Sequence, residues 1–153
     1  MDAGEVLLVL LLIPGGAGVL TLLTPQRRPT LIRIISLVAG TAMFAVSIYV
    51  FAIYDYASGG LQFDLQYTWI ENVSIFKENG ISLHLAVDGI AVPLVLLNGI
   101  VAFAAVLISW KIETRNKDFF ILFHVLVAGV FGVYMSQDLF FWFFFYFKRV
   151  IIL

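Results

Sequence analysis

The sequence predicts an all-α integral membrane protein with four transmembrane helices, an incomplete fifth, and a short outward-facing β-hairpin between the second and third. Three observations carry this. The chain is 62% hydrophobic and 12% charged, with a mean hydropathy of +1.04, so its apolar surface exceeds what a soluble core of 153 residues hides. Its apolar residues fall into four uncharged stretches, each near the ~20 residues that cross about 30 Å of hydrocarbon. Two further segments alternate apolar and polar residues, the period of a strand.

The first span covers 6–23. The acidic residues Asp2 and Glu5 precede it where a secretory signal peptide is basic, and no clear small-x-small cleavage site closes it, so it reads as a retained helix. Pro14-Gly15-Gly16 inside it predicts a bend or a helix contact point. The second span covers 34–54. Alternation in Leu61 to Trp69 and again in Ile81 to Asp88 places a hairpin at 61–88, with Glu71 to Gly80 as its loop. The third span covers 89–110, with Pro93 calling for a late start or a bent first turn. The fourth covers 119–137, and a partial fifth covers 139–153.

Arg27, Arg28 and Arg33 flank the first connection and Lys111, Arg115 and Lys117 the third, whereas the second holds only Lys77. By the positive-inside rule the amino terminus and the segment 55–88 face outward. Tyr49, Tyr54, Tyr56, Tyr67, Trp69 and Trp110 fall near predicted interfaces as anchors.

Composition also excludes functions. A net charge of -1 offers no field for nucleic acid, and the absence of cysteine removes disulfides, thiolate metal sites and cluster ligation. No phosphate-binding loop, nucleotide fingerprint, nucleophile–histidine arrangement or haem-binding pair is present, so no catalytic, cofactor-binding or metal residue is assigned.

Four ionisable residues carry candidate roles. His84 and Asp88 are four apart, a spacing suited to a relay or metal pair on a helix, but the alternation puts His84 on a surface strand and makes Asp88 a helix-start cap. His124 lies within the fourth span, about one turn from its cytoplasmic end. There an ionisable group is a proton-path candidate, the alternative being a neutral imidazole bonded to a backbone carbonyl. Asp138 is the second proton-path candidate or, more simply, a cap for the fifth helix.

The run Gly80-Ile81-Ser82-Leu83-His84-Leu85-Ala86-Val87-Asp88-Gly89-Ile90, the later Ser109-Trp110-Lys111, then Gly129, Gly132-Val133 and Asp138-Leu139-Phe140-Phe141 resemble the start of subunit M, or chain 4, of NADH-quinone oxidoreductase. That family, of respiratory complex I, is proton-translocating and antiporter-like. The resemblance implies the amino-terminal part of one larger helical membrane domain, in an enzyme that couples quinone reduction to proton translocation. It implies NADH, FMN, iron–sulfur clusters and quinone elsewhere in the complex and none in this chain. Other complex I membrane subunits and the lipid bilayer are the implied partners, in an energy-coupling membrane such as the bacterial inner membrane.

The family places a functional glutamate in its fifth helix, and the matching position here is Phe147. Beyond Tyr146 the family pattern is lost, which predicts a truncated chain, inactive alone, because phenylalanine takes up no proton. A subunit of a cation/proton antiporter or membrane-bound hydrogenase complex is an alternative. A small membrane protein acting by helix association through Gly15, Gly16, Ala17, Gly18, Gly129 and Gly132 is another.

Overall fold

The computed structural model describes residues 3–70, 81–112, 115–137 and 139–152. Helices α1 (Ala3–Leu23), α2 (Pro29–Ile53), α3 (Ala91–Ile108), α4 (Asn116–Met135) and α5 (Leu139–Ile152) enclose the strands β1 (Gln62–Ile70) and β2 (Ile81–Val87) in chain order, and a 3₁₀ turn, Ser109–Lys111, extends α3. Four helical stretches, Gly4–Leu23, Pro29–Ile53, Ala91–Lys111 and Asn116–Met135, are long and apolar enough to cross a membrane. At 1.5 Å per residue even 20 residues reach about 30 Å.

The helix ends differ from the sequence reading for local reasons. α2 begins at Pro29, five residues before the expected 34, because proline at a first helical position loses only an N–H that has no partner there. This puts Arg33 on the helix. α3 begins at Ala91 rather than 89, since Gly89 and Ile90 turn beneath the Asp88 carboxylate, and Pro93 then sits harmlessly in the first turn. α4 begins at Asn116 rather than 119, after Arg115 in the left-handed region at φ 52°. It stops at Met135 because Ser136 leaves to bridge Leu85 and the Gln137 N–H donates to the His84 carbonyl at 2.9 Å.

Pro14 is held within an unbroken α1. Gly15 and Gly16 face open space, so the expected contact point there is not observed. Close approaches fall instead at Gly99, between α3 and Ser47 of α2, and at Gly132, where an added Cβ would collide with the Phe145 ring of α5.

The strands pair antiparallel as expected, with Gln66 opposite His84 and Leu65 opposite Leu85. Their alternation is interrupted: the register shifts between Gln62 and Leu65, where Phe63 takes φ 60° and turns into the core. That extra residue is a β-bulge, invisible to a strict period of two. The loop expected at Glu71 to Gly80 lies outside the described residues.

α1 packs between α2 and α4, α3 lies against α2, and α5 lies against α4. The hairpin covers the end that holds the start of α1, the end of α2, the start of α3 and the end of α4. There a Cβ on Gly4 would meet the Asp64 carbonyl, the Tyr54 hydroxyl donates to the Gly60 carbonyl at 2.9 Å, and Gln137 Nε2 donates to the Ala86 carbonyl at 3.2 Å. At the other end Lys117 Nζ donates to the Leu22 carbonyl at 2.7 Å, satisfying a free carbonyl at the close of α1. Arg27, Arg28, Arg33, Lys111, Arg115 and Lys117 thus share one end. Only 28–39% of each span is buried within the bundle, so the remaining apolar faces, including Leu23, Val38, Leu97 and Ile108, meet lipid or further protein.

Candidate functional site

Most buried hydroxyls in the spans are satisfied by their own helix: Thr21 donates to the Ala17 carbonyl at 2.8 Å and Ser47 to the Met43 carbonyl at 2.7 Å. Ser36 differs, because its hydroxyl meets Nε2 of His124 across the α2–α4 seam at 3.0 Å. Both residues are fully buried. The hydroxyl donates to Nε2 when the ring proton is on Nδ1 and accepts from Nε2–H in the other tautomer. Gly18 of α1 lies beside the His124 Cβ, leaving the imidazole enclosed by three helices.

The earlier start of α4 moves His124 eight residues into its helix, more than two turns rather than one. The partner of its Nε2 is a side chain on another helix, not the backbone carbonyl of the neutral-imidazole alternative. Nδ1 has no partner among the described residues.

A second polar pair lies toward the cation-bearing end. Arg33 Nη2 donates to the Ile112 carbonyl at 3.0 Å, and Asn116 Nδ2 donates to the same oxygen at 2.9 Å. Arg33 Nε and Asn116 Oδ1 are buried and have no partner among the described residues. Phe120, fully buried with Ile32 and Val106, lies on α4 between Asn116 and His124. Sequence reasoning missed Ser36, Arg33 and Asn116 as site residues. Ser36 resembled any helical serine, and Arg33 and Asn116 were assigned to a connection.

At the hairpin end, Asp88 Oδ1 accepts from the amides of Ile90 at 3.1 Å and Ala91 at 2.7 Å, and its carbonyl accepts from Val92 at 3.1 Å. His84 is not near that carboxylate functionally: its Nε2 donates to Asp64 Oδ1 at 2.7 Å, on the partly exposed face of the hairpin. Burial, then the Asp88 carboxylate, raises the Tyr54 phenol above its ordinary range, and Tyr54 packs edge-on against Tyr56. The amide of Ala57, followed by the Ser58 hydroxyl, holds the Asp55 carboxyl below its usual range. Asp138, the other proton-path candidate, lies outside the described residues. The structure therefore keeps His84, Asp88 and His124 in separate surroundings. Among the described residues no three metal-ligating side chains converge.

These features define a multi-pass helical membrane protein with a paired hairpin capping one end and one buried histidine–serine contact inside. In sequence it is homologous, over 85–90% of its length, to chain 4 and subunit M proteins of quinone oxidoreductases. NADH-quinone oxidoreductase subunit M of Pseudomonas aeruginosa is 36% identical over 147 residues, covering 90% of this chain and 27% of that protein. NAD(P)H-quinone oxidoreductase chain 4 1 of Synechococcus elongatus is 34% identical over 131 residues, covering 85% and 24%, and chain 4-2 of Synechocystis sp. is 32% identical over 134 residues, covering 87% and 23%. The chain spans about a quarter of the length of these curated relatives. No family model matches it. Among solved structures, a chain of the membrane-bound sulfane sulfur reductase, an archaeal respiratory membrane complex, shares the fold with a TM-score of 0.69 at 20% identity, over 99% of this chain and 29% of that chain.

Proposed function

We propose that the chain works in the membrane arm of a complex I type NADH-quinone oxidoreductase, within a subunit that couples quinone reduction to proton translocation. The observation that carries this is the 36% identity to a subunit M along 90% of the chain. In this reading the partners are other membrane subunits and lipid, and the setting is an energy-coupling membrane such as a bacterial inner membrane. The resemblance assigns NADH, FMN, iron–sulfur clusters and quinone to partner subunits, and for the clusters this chain, with no cysteine, offers no thiolate.

Within the chain, His124 and Asp138 are the proton-path candidates and Asp88 is a positioning cap for α3. Phe147, at the place of the family's fifth-helix glutamate, is 60% exposed and titrates nothing. The isolated chain accordingly does not translocate protons by the family's route.

Affinity purification of the tagged chain from its native membrane tests the assignment. A quinone reductase should accompany it, and His124→Gln should lower proton pumping per quinone reduced. Recovery with a cation/proton antiporter assembly or a hydrogenase would replace the reading. Gly15 and Gly16, which meet nothing within 4 Å inside the bundle, suit a second reading, a membrane protein acting by helix association. A stable assembly whose pumping is indifferent to His124 would support that one.

A further inference from the structure

A buried polar atom inside a membrane bundle has no solvent to satisfy it, so each unpartnered one asks for an explanation. Among the described residues four side-chain atoms are in this position: Arg33 Nε, Asn98 Nδ2, Asn116 Oδ1 and His124 Nδ1. Two of the four, Arg33 Nε and Asn116 Oδ1, belong to side chains that meet at the Ile112 carbonyl between α2 and the start of α4. A third, His124 Nδ1, belongs to the ring whose Nε2 meets Ser36 across the same two helices. Their chemistry is complementary. Arg33 Nε only donates, Asn116 Oδ1 only accepts, and His124 Nδ1 does either according to tautomer.

Arg33 and Asn116 are both anchored on the Ile112 carbonyl, the one keeping a free donor and the other a free acceptor. One species both accepts from the first, donates to the second and is small enough for a packed helix seam. That species is water. We propose that the α2–α4 seam is a built water site, with one position at Arg33 and Asn116 and another at His124 Nδ1, reached from the cation-bearing end.

The direction follows from what lines each half of the seam. Toward the cation-bearing end come Asn116, Arg33 and the Ser36–His124 contact, with Ile32 and Phe120 buried among them. Toward the hairpin the same two helices bury Met43, Val50, Val127, Phe131 and Met135, and the fully buried hydroxyl there, Ser47, is already bonded to its own helix. Asn116 and His124 are eight residues apart on one face, about 12 Å along the axis. Phe120 lies midway between them on α4, fully buried, and in this proposal its ring is the barrier between the two water positions. This deepens the proton-path reading of His124 by assigning the side from which water reaches the imidazole, but it stands on hydration and not on proton flux.

The chain contains no cysteine, so every introduced thiol is unique. In liposomes holding the full chain, Arg27→Cys marks the cation-bearing end and Ser58→Cys the hairpin end for a small membrane-impermeant thiol reagent. Ser36→Cys should react from the Arg27 side. Adding Phe120→Ala should speed that reaction several-fold, while Ser47→Cys, equally buried on the same helix, stays unreactive. Equal rates at Ser36→Cys and Ser47→Cys, or reaction of Ser36→Cys from the Ser58 side, would overturn the proposal. A second measurement needs no substitution: water-to-protein polarisation transfer in solid-state NMR should reach the His124 ring nearly as fast as the partly exposed His84 ring. Transfer as slow as to the Val127 methyls would overturn it. Neither readout depends on pumping, so loss of the proton-path reading leaves both standing.

Discussion

At the scale of single residues, Asp88, Ser36 and Asp55 each hold a place by hydrogen bonds whose loss is measurable. Asp88→Asn keeps an oxygen for the amides of Ile90 and Ala91, whereas Asp88→Ala keeps none. The alanine variant should lose about 1 kcal/mol of unfolding free energy in detergent micelles and the asparagine variant only a fraction of that. Equal losses would show that charge, not capping, is what Asp88 contributes. Ser36→Ala strips Nε2 of His124 of its observed partner in a buried seam and should cost about 1 kcal/mol by the same measurement. At Asp55 the folded carboxyl titrates below its unfolded value, so its contribution to the turn is present above the ordinary carboxylate pKa of about 3.9. It is lost as pH falls through the lower, folded value. A carboxyl titration followed by NMR should place the midpoint beneath the ordinary range, and a midpoint above it would remove the role of the Ala57 amide.

Between elements, glycine position decides which helices approach closely. Gly132→Ala drives a methyl into the Phe145 ring and should destabilise the α4–α5 pair by about 1–3 kcal/mol, unless Phe145→Ala is introduced with it. Gly16→Ala meets open space and relieves a helix-interior glycine, so it should stabilise α1 by roughly 0.5–1 kcal/mol. Thermal unfolding of the single and double variants in one detergent separates these effects. Both residues look alike in the sequence, as small residues in apolar runs. Only the packing of α4 against α5 distinguishes them.

For the whole molecule, the arrangement makes a topological statement. Ser58 and Arg27 lie at opposite ends of the bundle, so thiols placed there should label from opposite sides of a membrane, with Arg27→Cys on the side the positive-inside rule names. Labelling of both from one side would break the four-span assignment. The chain reconstituted alone should carry no proton flux above lipid controls under an imposed potential, because Phe147 supplies no acid. A saturable flux abolished by His124→Ala would overturn that and make the buried imidazole the centre of a different mechanism.

Number and type of elements, the hairpin between the second and third spans and the shared end of the six cations were all readable from the chain itself. Hydropathy and alternation are sums over neighbouring residues, so they survive without tertiary information. The family relationship was legible too, through runs such as Gly80 to Ile90. Helix starts were less so: Pro29 and Asn116 begin their helices among polar residues, where proline geometry in the one and the left-handed turn at Arg115 in the other outweigh hydropathy. The β-bulge at Phe63 depends on what the strand packs against. The partner of His124 depended wholly on the fold, since Ser36 lies 88 residues away in sequence and meets it only because α2 and α4 turn those faces toward each other. Local chemistry thus determined that a histidine would be held in a membrane helix, and the packing of three helices decided which groups surround it and which of its nitrogens is left to find a further partner.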